Sequence, residues 1–198
     1  MSADVFLALL AFAFVSSITP GPNNFMLLAS GVNFGFRRSL PHMLGIGAGF
    51  VALLLAVGFG LGAVLTAYPQ LHLALKIAGG AYLLYLAWRI AMSRSMSARD
   101  GDAARPMTFL EATAFQWVNP KAWVMAVTAM AIYTSPEAPF LTVILVAAAF
   151  GIVNLPCVSS WAAFGTALRG FLSDPARLKW FNIAMGLMLV ASLWPMLR

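Results

Sequence analysis

From Val5 to Phe36 the chain has no Asp, Glu, Lys or Arg, and the same holds from Ser39 to Leu75, Ala138 to Leu168 and Trp180 to Leu197. Crossing a bilayer takes roughly 20 predominantly apolar residues, so these runs predict an all-α integral membrane protein. Only 9% of the residues are charged and 62% are hydrophobic, whereas soluble domains hold about a quarter charged residues. Asp4 stands where a cleavable leader would carry Lys or Arg, so the first apolar run is expected to be a retained span.

Proline and polar clusters divide the chain into six expected helices, at about Val5–Gly31, Leu40–Ala67, Leu71–Met92, Thr108–Tyr133, Pro139–Leu168 and Leu178–Leu197. The connection Ser93–Met107 is polar and 15 residues long, too short for a soluble catalytic domain. A single transmembrane domain is therefore predicted. It comprises one half at about residues 1–92, a polar cytoplasmic loop at about 93–107 and a second half at about 108–198.

The formal net charge of +6 does not point to nucleic acid, because the basic residues lie in short segments between apolar runs. Arg37, Arg38, Arg89, Arg94, Arg99, Arg105, Arg169, Arg177 and Lys179 share one side of a six-span arrangement, while the connections at Tyr68–Gln70 and Thr134–Ala138 carry none. The positive-inside rule puts that basic side in the cytoplasm and both termini outside it. Cys157 is the sole cysteine, which excludes an internal disulfide and a thiolate-rich metal site. His42 and His72 stand apart from acidic residues and read as interfacial histidines; neither a metal nor another cofactor is implied.

Within the first span the stretch Ser16–Leu28, SSITPGPNNFMLL, interrupts the helical pattern. Pro20 and Pro22 remove two backbone donors, and Gly21 between them accepts angles that other residues resist. Pro22 and Pro120 stand 98 residues apart (120 − 22), as do Pro41 and Pro139 (139 − 41). A three-span half repeated once has its second copy inverted, and paired interruptions near mid-membrane mark the binding site in transporters built that way. The alternative is an ordinary membrane-helix proline kink satisfied by its neighbours.

If both breaks unwind, each starts a new half-helix. The N–H groups of Asn23, Asn24 and Phe25 would lie at a positive dipole end, and the carbonyls of Ile18 and Thr19 would lie beside them. A zwitterionic amino acid needs that pair of ends, with the amides of Asn23, Asn24 and Asn119 able to serve either charge. Lys121 is the one ionisable residue near a span's centre, where a charge costs at least roughly 2.5 to 3.5 kcal/mol. It would bind a substrate carboxylate or carry a proton, the alternative being a lysine that snorkels to the surface. Glu111 reads as a structural carboxylate at a helix N-terminus. Gly31 and Gly35, Gly45 and Gly49, and Gly58 and Gly62 are spaced for close helix packing.

TPGPNN, the following glycines and NPKA at the start of the second half resemble the LysE/RhtB family of bacterial amino-acid exporters, over essentially the whole chain. GFRRSLPHMLGIGAGF, AGGAYLLYLAWRIA and FLEATAFQWVNPKAW look most like its subgroup that exports cysteine and O-acetylserine. The resemblance implies two inverted three-helix repeats with helices 1 and 4 interrupted near mid-membrane. It also implies substrate contacts at Thr19, Pro20, Gly21, Pro22, Asn23, Asn24, Asn119, Pro120 and Lys121.

The expected activity is secondary active export of a small neutral amino acid across the bacterial inner membrane by alternating access. Protons are the expected coupling ion, since no GxxxxGK[ST] phosphate loop is present. Exporters of homoserine or threonine, of branched-chain or of basic amino acids remain alternatives, although a basic substrate would call for an intramembrane carboxylate. A membrane-embedded enzyme would need clustered acidic, His or Cys residues, and only the RDGD pair of the polar loop is close together. The expected partners are the amino acid, the lipid bilayer and protons, with homo-oligomerisation left open.

Overall fold

The first apolar run folds as two helices. In a computed structural model of the chain, which describes residues 1–93 and 105–194, α1 (Ala3–Ile18) and α2 (Pro22–Phe34) are bent by 56° across Thr19–Gly21. The chain continues through α3 (Leu40–Ala56), α4 (Gly62–Ala67), α5 (Pro69–Ala91), α6 (Phe109–Gln116), α7 (Pro120–Tyr133), α8 (Pro139–Ala167) and α9 (Pro175–Ala191). Six of these helices carry proline in their first turn. There its fixed φ suits the helix and its missing N–H is no loss.

The expected continuous helix Leu40–Ala67 is corrected to two pieces. A π-helical turn at Val57–Leu61 separates α3 from α4, with Gly60 at φ 114°, a value open to glycine and strained for other residues. The last helix starts at Pro175, earlier than the expected Leu178, because Asp174 caps it through a 2.9 Å hydrogen bond from the Arg177 N–H. Its expected end at Leu197 lies outside the described residues, as do Arg94, Arg99, the RDGD pair and the side chain of His72.

Three stretches, Arg37–Leu61, Leu73–Ala91 and Pro139–Ala167, are long and apolar enough to cross a membrane, and α1 with α2 forms a bent fourth. α6, α7 and α9 hold 8, 14 and 17 residues, each below the usual spanning length taken alone. Leu7, Phe14, Ile77, Val124, Phe140, Ile152 and Leu187 are exposed around the bundle, a surface suited to lipid.

α2 packs on α8, α3 on α6, α5 on α9, and α1 and α3 both on α8. Glycines set the approach. Gly31 lies against the carbonyl of Ala162 and Gly165 against that of Leu28, so α2 and α8 touch backbone to backbone. Gly45 and Gly49 meet the carbonyls of Phe109 and Thr113 on α6 in the same way. Gly58 packs against Val143 and Met130, and a Cβ at Gly62 would stand at van der Waals distance from Val57.

The interior divides into two main apolar clusters. Leu9, Phe50, Leu53, Met125, Ala126 and Phe150 belong to one, where the Phe50 and Phe150 rings meet edge to face at 5.4 Å. Met26, Leu27, Met43, Leu83, Phe115 and Val158 belong to the other.

Candidate functional site: two helix breaks at one cavity

The C-terminus of a helix leaves carbonyls without intrahelical partners, and at the end of α1 Pro20 and Pro22 prevent the following backbone from supplying N–H groups. Side chains supply them instead. The Asn24 amide donates to the carbonyls of Ser17 (2.9 Å) and Thr19 (2.8 Å). The Trp161 indole donates to Ile18 at 3.1 Å, and the Lys121 ammonium donates to Thr19 at 2.5 Å and to Pro20 at 3.4 Å. A cation at a helix C-terminus also meets the negative end of the helix dipole.

At the start of α2, Gly21 is the capping residue, has no side chain to cap with, and is followed by Pro22. The Phe25 N–H is used by the Gly21 carbonyl at 3.0 Å. That corrects its expected role as a ligand donor and leaves Asn23 and Asn24 as the first-turn donors. Gly21 leaves space for the lysine: a Cβ there would lie 2.7 Å from Cδ of Lys121, so the lysine stem passes over the bare backbone.

The second break closes more locally. The N–H groups of Trp117 and Val118 bond to the carbonyls of Ala114 and Phe115 at 3.1 Å each. The Asn119 side chain caps α7 by accepting the Lys121 N–H at 3.2 Å, and the Trp123 indole donates to the Trp117 carbonyl at 2.8 Å. The two breaks are joined by a reciprocal amide pair: Asn23 donates to Gln116 at 2.8 Å and Gln116 donates back at 3.2 Å.

The result is a cavity of about 340 Å³, its open mouth included, lined by Ser16, Ser17, Gly21, Asn23, Asn24, Gln116, Asn119, Lys121 and Asn154, with Phe50, Ala122, Met125 and Val158 as its apolar walls. Of the expected residues, Gly21, Asn23, Asn24, Asn119 and Lys121 line it, and Thr19 and Pro20 contribute carbonyls to the lysine. Pro22 and Pro120 begin helices and do not line it. Asn24 is placed differently from expectation, since its amide nitrogen is already engaged by the end of α1. Lys121 likewise rests on carbonyls at the level of the cavity.

Gln116, Ser17 and Asn154 were not anticipated. Asn154 donates to the Ser17 hydroxyl at 3.1 Å, and its own carbonyl oxygen is buried without a partner among the described residues. No group of His, Cys, Asp and Glu suited to a metal occurs among the described residues. Glu111 closes a capping box with Thr108 and pairs with Arg105 at 2.6 Å, a helix-terminal role at a distance from the cavity.

The chain is similar to known proteins over nearly its whole length. Cysteine/O-acetylserine efflux proteins of Escherichia coli O9:H4 (strain HS) and Shigella sonnei (strain Ss046) are each 31% identical over 195 residues, covering 96% of both chains. That of Shigella flexneri serotype 5b (strain 8401) is 32% identical over 184 residues, 90% of each chain. No solved structure matches the chain. The family model described as LysE type translocator matches residues 14–192, and the chain belongs to that family: it is a multi-pass membrane translocator.

Proposed function

We propose that the chain exports a small neutral amino acid of the cysteine or O-acetylserine type through the cavity between its two helix breaks. The observation that carries this reading is that Lys121 of one break sits on the Thr19 and Pro20 carbonyls of the other, 2.5 and 3.4 Å away. One cavity thus offers carbonyl acceptors for an ammonium group, the first-turn donors of Asn23 and Asn24 for a carboxylate, and the unpartnered oxygen of Asn154 for a side-chain donor.

A substrate ammonium competes with Lys121 for those carbonyls. Once displaced, the lysine has the substrate carboxylate as its nearest counter-charge, so binding exchanges its hydrogen bonds to neutral carbonyls for an ion pair. Among the described residues no acidic side chain lines the cavity, which favours neutral over basic amino acids. The printed names of the relatives support the substrate class.

In the same reading the chain crosses the bacterial inner membrane six times as two inverted three-helix repeats within one domain. α1 with α2 and α6 with α7 are the interrupted first spans. The pairings are consistent with that exchange symmetry: α1 meets α8 as α6 meets α3, while α3 meets α8 and α5 meets α9. Phe34, Arg89 and Arg105 line one cavity and Arg169 lies beside Gly35. The basic ends therefore gather at one end of the bundle, taken as cytoplasmic, with both termini opposite.

The test is efflux from loaded proteoliposomes for a panel of radiolabelled amino acids, including cysteine and O-acetylserine, with and without an imposed proton gradient. Faster release of either, accelerated by the gradient, is expected. Absence of release across the panel defeats the reading.

A further inference from the structure

A second cavity, about 550 Å³ with its open mouth included, lies at the basic end between α2, α3 and α5. His42 lines it and is 1% exposed, yet neither ring nitrogen has a hydrogen-bond partner among the described residues. A buried imidazole left unsatisfied on both nitrogens is costly, whereas the neighbouring polar groups are well matched. Asn33 and Asn182 exchange amide bonds of 2.9 and 3.2 Å, and Ser30 bonds Ser39 at 2.7 Å. Arg89, in the last turn of α5, lines the same space.

One face of α2 connects this space to the central cavity. Asn23 lines the central cavity, Met26 follows one turn later, and Met26, Ser30 and Asn33 line the basic one. These positions follow helical spacing on one side. Between the cavities stand the Asn23–Gln116 amide pair and the apolar cluster to which Met26, Met43 and Phe115 belong.

A neutral imidazole offers one N–H donor and one acceptor, which suits a molecule carrying both a carboxylate and an ammonium group, and a guanidinium adds charge-assisted binding of the carboxylate. We propose that this cavity is the entry subsite for the amino-acid substrate on the basic face, with His42 and Arg89 as its anchors. Met26 and the Asn23–Gln116 pair form the partition that must move before the substrate reaches Lys121. The proposal rests on the export reading above.

The test uses inside-out membrane vesicles taking up labelled O-acetylserine, with His42→Phe and Arg89→Gln. Each is expected to raise KM for uptake from the basic face about tenfold, the scale of one lost charge-assisted hydrogen bond. Maximal rate should change little, and KM for counterflow from the opposite face should stay at its wild-type value. Equal shifts on both faces, or no shift, overturn the subsite while leaving the export reading intact.

Wild-type vesicles that move no amino acid defeat the export reading, and a binding readout then decides the subsite. In a Cys157→Ser background, maleimide labelling of Ile90→Cys, whose side chain lines this cavity, should be slowed by O-acetylserine and not by its carboxamide analogue. Labelling indifferent to O-acetylserine rejects the subsite. Protection by anionic lipid alone assigns the cavity to a headgroup phosphate and also rejects it.

Discussion

The break between α1 and α2 is held by side chains from three helices, α2, α7 and α8, whereas the break between α6 and α7 closes largely on its own backbone and its own Asn119. The carbonyls of the first break are therefore satisfied only while Asn24, Lys121 and Trp161 remain in place. Those of the second need little from elsewhere in the molecule. Under the proposed export reading, the groups that change partners as a ligand binds and leaves belong to the first break. The second supplies a rigid base from which Lys121 reaches across.

The contrast is most exposed to attack at Lys121. Lys121→Met removes a charge-assisted contact worth roughly 1.5 to 3 kcal/mol, so initial efflux rates normalised to membrane protein should fall about 10- to 100-fold. Near-normal efflux would mean that the first break needs no cation. Asn24→Ala strips the buried bridge across α1 and should destabilise the protein by about 1 to 3 kcal/mol, against about 1 kcal/mol for loss of the Asn119 cap. Thermal unfolding in detergent ranks the pair, and a larger effect at Asn119 reverses the comparison.

Gly21→Ala introduces a Cβ 2.7 Å from the Lys121 stem. Because a flexible chain can shift, the expected cost is about 1 kcal/mol, read as an efflux loss of several-fold with unchanged membrane levels. Trp161→Phe deletes the bond to Ile18 and trims the indole while keeping an aromatic ring beside Phe25. It sharpens the account at the small end, with a loss of about 0.5 to 1.5 kcal/mol in the same unfolding assay.

Both breaks were legible in the sequence because proline and asparagine act through the local backbone: a missing N–H and a short capping amide have their effect wherever the chain lies. The tight glycines at 31, 45 and 49 were legible for a similar reason, since small residues four positions apart on an apolar helix have few other uses. Gln116, Asn154 and Trp161 were not, because each is an isolated polar or amphipathic residue in an apolar run whose partner lies 93, 137 or 143 positions away. His42 shows the opposite error. Its place near a helix start suggested an interfacial ring, but His42 lies on the buried side of α3 and is 1% exposed.

The glycine contacts also govern how the chain comes to be assembled. Gly31 on α2 meets α8, and Gly45 and Gly49 on α3 meet α6, so the closest packing faces within residues 1–92 are complementary only to helices synthesised later. The early helices must wait in the bilayer, with those bare backbone strips against lipid, until α6 and finally α8 emerge. Expressed as two separate pieces, neither part holds the surface that completes it, and stability should appear only when both are made together.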